Sequence, residues 1–260
     1  MNCIDFPMPA LTPDRLYLFY AGSDVDAGLM AQYRSVLSED ERQKADRFRF
    51  EKDRKLSVTA RALVRYILSE CTGNPPESFS FRENRFGKPS LVGNPSPVDG
   101  TILPDLRFNL SHSKGMVVCA LALGRDVGVD VESMERTVEL SIARRFFSRA
   151  EAEFLEGCPE KDKTACFFDI WTLKEAFIKA RGMGLSIPLD AFSFCLSDPT
   201  PRIRFHDPEA AGGAGPEAWQ FFRWQPRTGA MVAACIQGTP PVEVHRFFCT
   251  PFKEMRLDKK

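Results

Sequence analysis

One arrangement of apolar residues occurs twice in this chain, and it constrains the fold more than any other feature of the sequence. Gly115–Gly124 aligns without a gap with Gly229–Gly238, and both segments are short runs of mostly small apolar residues between two glycines. The capping-box pattern Ser-x-x-Glu, which marks a helix start, also precedes a predicted helix in each half, at Ser38–Glu41 and at Ser148–Glu151. The offset of about 110 residues exceeds the periods of solenoid repeats, so the pattern predicts two similar domains.

Helical and strand patterns alternate along both predicted halves. A helix is expected from Ser38 to about Cys71 with an interruption, and another from Thr164 to Arg181. Segments rich in β-branched and large apolar residues are predicted to be strands. These segments are Leu16–Ala21, Leu106–Leu110, Met116–Leu123, Val127–Glu132, Phe192–Leu196, Trp219–Trp224 and Met231–Ile236. The third and fourth of them are predicted to form a hairpin, and Gly93–Pro104 is predicted to be a loop.

The charge of the chain is balanced overall but uneven locally. Basic and acidic residues number 35 each, so the net charge does not favour nucleic acid or an anionic membrane as the main partner. Between Glu41 and Arg65, however, nine basic residues accompany four acidic ones, and this stretch could bind an anion. Arg47, Arg54 and Arg61 recur at about two helical turns and could share a face. An ordinary solvated basic face remains the alternative.

The sequence gives no sign of export or of membrane insertion. Residues 1–15 lack a basic start followed by a long apolar run, and no stretch approaches the roughly 18 apolar residues of a membrane span. The eight cysteines include no C-x-x-C pair, which argues against the common zinc-site patterns. We therefore expect a cytoplasmic protein with reduced thiols.

Two acidic residues alternate with valines in the strand pattern Val127–Glu132. Alternate side chains of a strand share a face, so the valines should enter the core while Asp130 and Glu132 lie together beside Gly128. Neighbouring carboxylates repel each other unless protons or a cation intervene, and Mg²⁺ binds such oxygen ligands together with substrate phosphates. An ordinary solvated strand face is the alternative reading.

A helix with two distinct faces is predicted around Trp171–Gly182. Residues four apart lie on one helix face, so Trp171, Glu175 and Lys179 should form one stripe, opposite an apolar stripe that packs. The polar stripe is then available for chemistry. It could equally be an exposed ion pair that stabilises the helix by about 0.2–0.5 kcal/mol.

Two further segments carry groups that could bind phosphate. The predicted strand Phe108–Ser113 ends in Ser111-His112-Ser113, where hydroxyl, imidazole and backbone N–H groups could face an anion. The predicted turn Asn84–Pro89 carries Arg85 and Lys88. A histidine satisfied within a capped turn is the alternative for the first segment.

Taken together, these motifs resemble those of the Sfp-type phosphopantetheinyl transferases. The resemblance covers nearly the whole chain, and the motifs occur in the same order as in that family. After the basic N-terminal helix they are Gly87-Lys88-Pro89, Phe108–Ser113, Gly128–Glu132, Arg145–Ser148, and Trp171-x-x-Lys174-Glu175-Ala176-Phe177-x-Lys179 followed by Gly182-x-Gly184-Leu185.

The resemblance implies an α+β fold of two similar α/β halves related by a pseudo-twofold axis, with the active site between them. The halves would be residues 1–124 and 125–260. The expected ligands of Mg²⁺ are Asp130, Glu132 and Glu175. The expected contacts of coenzyme A are Lys88, Ser111, His112 and Lys179 at the phosphates and one or more of Lys44, Arg54 and Lys55 at the adenosine end. The residues expected to take part in catalysis are Glu175, Lys179 and His112.

The reaction implied by the resemblance is attack of a carrier-protein serine on coenzyme A, which transfers 4'-phosphopantetheine and releases adenosine 3',5'-bisphosphate. Either Glu175 or a metal-bound water could be the base. For the apo acyl or peptidyl carrier protein we expect a docking segment at Thr137–Phe147, with Arg144 and Arg145 facing acidic residues and Phe146 or Phe147 making apolar contacts. Because the chain carries both halves, we expect a monomer.

Two other functions remain compatible with the same residues. One is a Mg²⁺-dependent hydrolase or nuclease, although a nuclease usually has a more positive charge balance. The other is a non-catalytic module that binds coenzyme A or a carrier protein. Such a binder needs no metal cluster, so the acidic residues and Lys179 argue against it.

Overall fold

The computed structural model describes Met8 and residues 10–93, 105–135, 138–196, 200–226 and 229–258. Most of the predicted loop Gly93–Pro104 and the first residue of the predicted docking segment, Thr137, lie outside the described residues. The chain divides into two compact units. The first unit comprises residues 1–83, 89–124 and 242–260, and the second comprises residues 84–88 and 125–241.

Helices and strands are mixed along the chain, so the predicted α+β class is confirmed. In chain order the elements are β1 (Arg15–Gly22), α1 (Ala27–Ser35), α2 (Glu39–Asp46), α3 (Glu51–Thr72), β2 (Phe81–Glu83), β3 (Pro89–Leu91), β4 (Leu106–Ser113), β5 (Met116–Leu123), β6 (Val127–Ser133), α4 (Ser141–Phe146), α5 (Arg149–Gly157), α6 (Lys163–Arg181), β7 (Phe192–Cys195), β8 (Arg202–Phe205), α7 (Pro208–Ala211), β9 (Trp219–Trp224), β10 (Ala230–Gln237), β11 (Glu243–Thr250) and β12 (Glu254–Leu257).

The first unit is built around a five-stranded sheet in the order β12-β11-β1-β5-β4. Strands β1 and β11 run parallel, and the other neighbours are antiparallel. Helix α3 contributes an apolar face, including Leu63 and Ile67, to a core that also holds Phe19 and Val117 from the sheet. The helix ends at Gly73, whose positive φ of 71° suits the left-handed C-cap that glycine adopts without strain.

The second unit has a three-stranded antiparallel sheet in the order β6-β10-β9 and a separate hairpin of β7 and β8. The long helix α6 packs on this sheet and buries Leu173, Ala176 and Phe177. The stripe predicted to be free for chemistry, Trp171, Glu175 and Lys179, is half-buried, whereas the apolar stripe is fully buried. The prediction of two different faces on this helix is therefore confirmed.

The predicted helix starts and the repeated strand agree with the structure. Both capping boxes form, with Ser38 and Glu41 at α2 and Ser148 and Glu151 at α5. The two glycine-bounded segments become β5 and β10, each of which is the strand between two others in its own sheet. The glycines on both sides of these strands have positive φ, a conformation that glycine adopts without strain. The pseudo-twofold relation of the halves remains a prediction.

Two predictions about chain organisation differ from the structure. The predicted hairpin of the strands at 116–123 and 127–132 is wrong, because β5 pairs with β1 and β4 whereas β6 pairs with β10. The predicted halves, residues 1–124 and 125–260, do not coincide with the two units, because residues 242–260 lie in the first unit, where β11 pairs with β1, and residues 84–88 lie in the second. Among the described residues, no helix is long and apolar enough to cross a membrane.

Candidate active site

The second unit brings an acidic strand and a basic helix residue into direct contact. Asp130 lies in the middle of β6 and is 4% exposed, and Lys179 lies near the end of α6. The Lys179 Nζ is 2.5 Å from Asp130 Oδ1. Because Asp130 is buried and Lys179 is half-buried, this charge-assisted hydrogen bond fixes the two side chains more firmly than a surface ion pair would.

Gly128 explains why helix and strand can approach so closely. A Cβ atom at this position would lie 2.0 Å from the backbone oxygen of Ala176 and 2.4 Å from the backbone nitrogen of Ala180. Only a glycine therefore lets the backbone of α6 rest on β6 at this point. Helix α6 covers this face of β6, so Gly128 and Asp130 are buried, whereas Glu132 is half-buried.

Glu175 lies one helical turn before Lys179 and is half-buried. Burial raises the pKa of Glu175 to about 7, and the negative charges of Asp130 and Glu132 contribute to the rise, while Lys179 opposes it. These charge effects indicate that Asp130, Glu132 and Glu175 form one electrostatic cluster. Such a cluster holds a proton near neutral pH unless a cation neutralises it.

The same surroundings also raise the pKa of Lys179, which for a lysine favours the charged form. Burial alone would lower the pKa of Lys179, but Asp130, Glu175 and Glu132 outweigh burial, so its pKa is raised above the ordinary lysine value. The side chain therefore carries a positive charge at neutral pH. It is held at the carboxylates, where it offsets part of their mutual repulsion.

The chemistry of the carboxylate cluster fits a hard divalent cation. Asp130, Glu132 and Glu175 offer only oxygen ligands, which Mg²⁺ prefers, and one lysine does not neutralise three carboxylates. In the part of the chain that the structure describes, no three His, Cys, Asp or Glu side chains are already arranged around a metal position. The three carboxylates are therefore ligands of the kind that Mg²⁺ binds. In this structure one of their oxygens, Asp130 Oδ1, accepts a hydrogen bond from Lys179.

Lys88 is the other predicted phosphate contact in the second unit. Its ammonium donates to the backbone oxygens of Ala180, at 2.8 Å, and Val127, at 3.2 Å. Asn84 in the same turn donates its side-chain amide to the Gly182 oxygen at 2.7 Å. The turn at residues 84–88 is thereby attached to the C-terminus of α6, where a positive charge interacts favourably with the helix dipole.

The predicted coenzyme A contacts of the first unit lie in three places. Ser111 is buried and His112 is exposed at the end of β4. Lys44 lines a cavity of about 470 Å³ and pairs with Glu83 at 2.8 Å. Arg54 and Lys55 line a different cavity of about 380 Å³.

The predicted shared face of Arg47, Arg54 and Arg61 is not formed. Arg47 follows the last residue of α2, and α3 begins at Glu51, so the three arginines do not lie on one helix. Arg47 and Arg61 line the cavity that holds Lys44, whereas Arg54 lines the other one. The sequence predicted an interruption of the helix but did not place it between Arg47 and Arg54, where it separates the arginines.

Each unit also contains a buried cation that the sequence did not reveal as such. Lys174 Nζ contacts Glu151, the capping-box residue of α5, at 2.8 Å and donates to the backbone oxygens of Leu189 and Phe192. In the first unit Arg65 Nη2 contacts Glu41, the capping-box residue of α2, at 2.8 Å. The guanidinium of Arg65 also donates to the oxygens of Pro76 and Phe79.

In both units the capping-box glutamate therefore contacts two helices, the short helix that it caps and the long helix that follows. Each glutamate accepts from its own helix start and also neutralises a cation on the following long helix, α3 or α6. The only hint in the sequence was the pair of capping boxes. Lys174 precedes Glu175 directly, so this contact bears on the position of the catalytic candidate.

The predicted docking segment forms helix α4, but one of its residues is not available. Phe147 is 4% exposed and stacks on Phe167, so of the two alternatives Phe146 and Phe147 only Phe146 is accessible for an apolar contact. Phe146 is half-buried against Trp171 and lies beneath the Arg145 guanidinium. Arg144 is exposed and pairs with Glu156 at 3.0 Å.

Comparison with known proteins assigns both parts of the chain to one group. Residues 126–235 match the model of the 4'-phosphopantetheinyl transferase superfamily. Residues 28–123 match the model described as "4'-phosphopantetheinyl transferase, N-terminal". The second match covers most of the first unit and the first covers most of the second.

Individual relatives agree with the family models. A 4'-phosphopantetheinyl transferase of Bacillus subtilis is 33% identical over 71% of this chain and 77% of its own length. The transferase HetI of Nostoc sp. is 30% identical over 89% of this chain and 92% of its own length. The transferase Sfp of Bacillus subtilis strain 168 is 32% identical over 70% of this chain and 76% of its own length. The crystal structure of the holo-[acyl-carrier-protein] synthase of Thermotoga maritima covers 47% of this chain and 66% of its own length at 21% identity, with a TM-score of 0.36.

Proposed function

The chain belongs to the 4'-phosphopantetheinyl transferase superfamily, and we propose that the carboxylate cluster of its second unit is where the transfer is catalysed. The protein is an enzyme that transfers 4'-phosphopantetheine from coenzyme A to a serine hydroxyl of an apo carrier protein. The observation that carries the assignment of the site is the pairing of Asp130 with Lys179 beside Glu175.

The acidic residues are suited to bind a magnesium ion. Asp130, Glu132 and Glu175 would hold it, in keeping with the oxygen ligands that Mg²⁺ prefers. When bound, the ion would neutralise negative charge on the phosphates of coenzyme A and on the three carboxylates. A cation at this position would also keep Glu175 ionised near neutral pH, since it opposes the repulsion that raises the pKa of this residue.

Glu175 is our candidate for the general base. Its Oε atoms would accept the proton of the carrier serine as the serine oxygen attacks phosphorus and the bond to adenosine 3',5'-bisphosphate breaks. With the cation bound, the Glu175 carboxylate would be ionised at neutral pH and therefore able to accept this proton. Lys179 would place a positive charge beside the reacting phosphate. Phosphoryl transfer depends on such cations, because they stabilise the negative charge of the transition state, and it needs no nucleophile from the enzyme.

Coenzyme A itself would be bound by basic and hydroxyl groups of the chain. We assign Lys88, Ser111 and His112 to its phosphates. For the adenosine end, Lys44 is the best candidate, because the cavity it lines is the larger one and also contains Arg47 and Arg61. Arg54 and Lys55 line a separate cavity, so they are the weaker candidates of the three.

The carrier protein would dock on the exposed side of α4. Arg144 and Arg145 are exposed at the end of this helix, and Ile142 offers an apolar contact that is 36% exposed. Carrier proteins with acidic residues beside the acceptor serine would match this surface in charge. Because one chain carries both halves of the family pattern, we also propose that it works as a monomer.

The decisive experiment is the intact mass of an apo carrier protein after incubation with the enzyme, coenzyme A and Mg²⁺. We expect the mass to increase by one phosphopantetheine, and we expect EDTA to prevent the increase. Glu175→Gln should reduce the rate by about 10²–10⁴-fold. Glu153→Gln is the matched control, since Glu153 is an exposed glutamate of α5, and it should retain the wild-type rate.

Two results would contradict parts of this proposal. If no carrier gains mass while coenzyme A still binds without metal, the non-catalytic binding module is the better description. If Glu175→Gln is as active as Glu153→Gln, the transfer occurs but Glu175 is not its base.

A further inference from the structure

Two cysteines meet where helix α5 ends and helix α6 begins. Cys158 is the C-cap residue of α5, and Cys166 lies in the first turns of α6. The Cys158 thiol donates to Cys166 Sγ, and the two sulfur atoms are 2.8 Å apart. Both side chains are half-exposed, so small solutes can reach them. The phosphopantetheine transfer proposed above uses neither thiol.

Other cysteines of the chain have different surroundings. Cys71, Cys119, Cys235 and Cys249 lie in or against the apolar cores, where burial raises the pKa of each thiol. Such thiols react slowly with oxidants. Cys195 is exposed and provides a comparison thiol that is accessible but distant in sequence from the pair.

We propose that Cys158 and Cys166 are an oxidisable thiol pair that forms a reversible intramolecular disulfide. The short connection between the helices, residues 159–162, already holds the two sulfur atoms together. Disulfide formation therefore requires little movement of the backbone. The bond would close the loop between the helices and join α5 to the helix that carries Glu175 and Lys179.

The oxidant would be a low-molecular-weight disulfide such as oxidised glutathione. Cys158 loses its proton, and its sulfur attacks one sulfur of glutathione disulfide, which releases one glutathione and leaves a mixed disulfide. Cys166 then attacks the Cys158 sulfur and releases the second glutathione. In sum, two protein thiols are oxidised to one disulfide, one glutathione disulfide is reduced, and the two protons end on the two glutathione thiols.

Cys158 is the better first nucleophile of the two. Burial raises the pKa of Cys166 to about 12, and the hydrogen bond from Cys158 adds to the rise. Cys166 is therefore the resolving thiol, because its attack is intramolecular and a low thiolate fraction matters less.

The test is to incubate the full-length protein with mixtures of reduced and oxidised glutathione, block free thiols with N-ethylmaleimide, and analyse tryptic peptides. Cleavage after Arg149, Lys161, Lys163 and Lys174 places Cys158 and Cys166 on separate peptides. We expect these two peptides to become joined, with the loss of two hydrogens, and to separate again on treatment with dithiothreitol. Closing this short loop should also raise the Tm by about 5 °C.

Matched variants distinguish the pair from general thiol oxidation. Cys195→Ser should still form the joined peptide and show the rise in Tm, whereas Cys158→Ser and Cys166→Ser should show neither. The proposal is overturned if both cysteines still react with N-ethylmaleimide after incubation with oxidised glutathione. It is also overturned if each cysteine carries a separate glutathione. If the two peptides are joined but the Tm does not rise, the part of the proposal in which the disulfide stabilises the connection between α5 and α6 is overturned.

Discussion

Lys174 Nζ lies 2.8 Å from Glu151 Oε2, and both side chains are almost completely buried. The ammonium also donates to two backbone oxygens of the chain that follows α6. Removing one partner leaves a buried charge without compensation, and this costs about 3–5 kcal/mol. We therefore expect Lys174→Met to lower the free energy of unfolding by about that amount, as measured by urea denaturation.

A double-mutant cycle provides the control for this prediction. Glu151→Gln alone should destabilise the protein, and the double variant should be more stable than the sum of the two single losses implies, because neither charge is then left alone. Strict additivity would show that the ion pair contributes nothing.

Gly128→Ala should disrupt the site without touching a catalytic group. The added Cβ would lie 2.0 Å from the Ala176 backbone oxygen, so α6 must shift away from β6. Overpacking of this kind typically costs about 1–3 kcal/mol, and the shift should also separate Lys179 from Asp130. We expect lower stability in urea denaturation and a lower kcat.

Gly157→Ala is the matched control for the glycine. Gly157 also lies in the second unit, and a Cβ there would meet no atom within 4 Å. This variant should be as active and at least as stable as the wild type. Equal behaviour of the two variants would mean that the close contact at Gly128 is not needed.

The pH dependence of stability should reveal the raised pKa of Glu175. The ordinary pKa of a glutamate is 4.5, and in the folded protein it is about 7. Between these values the folded state binds more protons than the unfolded state, so this group makes stability fall as pH rises from 4.5 to 7. In buffer without divalent cations, Glu175→Gln should therefore melt at a higher temperature than the wild type at pH 8.

The same substitution should have the opposite effect on catalysis. If Glu175 is the base, kcat/KM of the wild type should rise with pH as the carboxyl ionises, and this step should be missing in the glutamine variant. With Mg²⁺ bound, the step should lie at a lower pH than the metal-free pKa of Glu175, because the cation favours the ionised carboxylate. A glutamine variant that melts below the wild type at pH 8 would indicate that Glu175 stabilises the fold.

Metal binding can be measured without the reaction. Mg²⁺ at 100 times its Kd should stabilise the folded protein by about 2.7 kcal/mol, and this appears as a rise in Tm. We expect the rise to be lost in Asp130→Asn and in Glu132→Gln. Glu153→Gln should keep it, and an unchanged rise in all three variants would place the metal elsewhere.

Charge reversal on α4 tests the docking surface. The double substitution of Arg144 and Arg145 by glutamate should raise the KM for an acidic carrier about tenfold and leave kcat unchanged. Arg149→Glu is the control, because Arg149 is equally exposed but belongs to α5. A control variant with the same change in KM would point to net charge and not to a specific surface.

Much of the fold could be predicted from local patterns, because helix starts and strands are decided by neighbours in sequence. The capping boxes at Ser38 and Ser148 and the burial of Val127, Val129 and Val131 are of this kind. The pairing of β5 and β6 was predicted wrongly because a short connection between two strands looks the same in sequence whether or not they share a sheet.

The site was predictable in part for the same reason. Spacing indicated which face of its strand or helix each carboxylate and Lys179 occupies. The contact between the strand and the helix depends on Gly128, and spacing in the sequence does not relate Gly128 to Ala176. The burial of Phe147 and the partners of Lys174 and Arg65 depend on packing between segments far apart in the chain.

The parallel pairing of β1 with β11 affects the order in which a nascent chain can fold. Residues 15–22 leave the ribosome early, yet their neighbour at 243–250 follows only after the second unit has been synthesised. Domains fold as units during synthesis, so the second unit can become compact while β1 still lacks one of its two partners. During that interval the early strand presents an open edge, and a chaperone or another nascent chain could pair with it before its own C-terminal strand arrives.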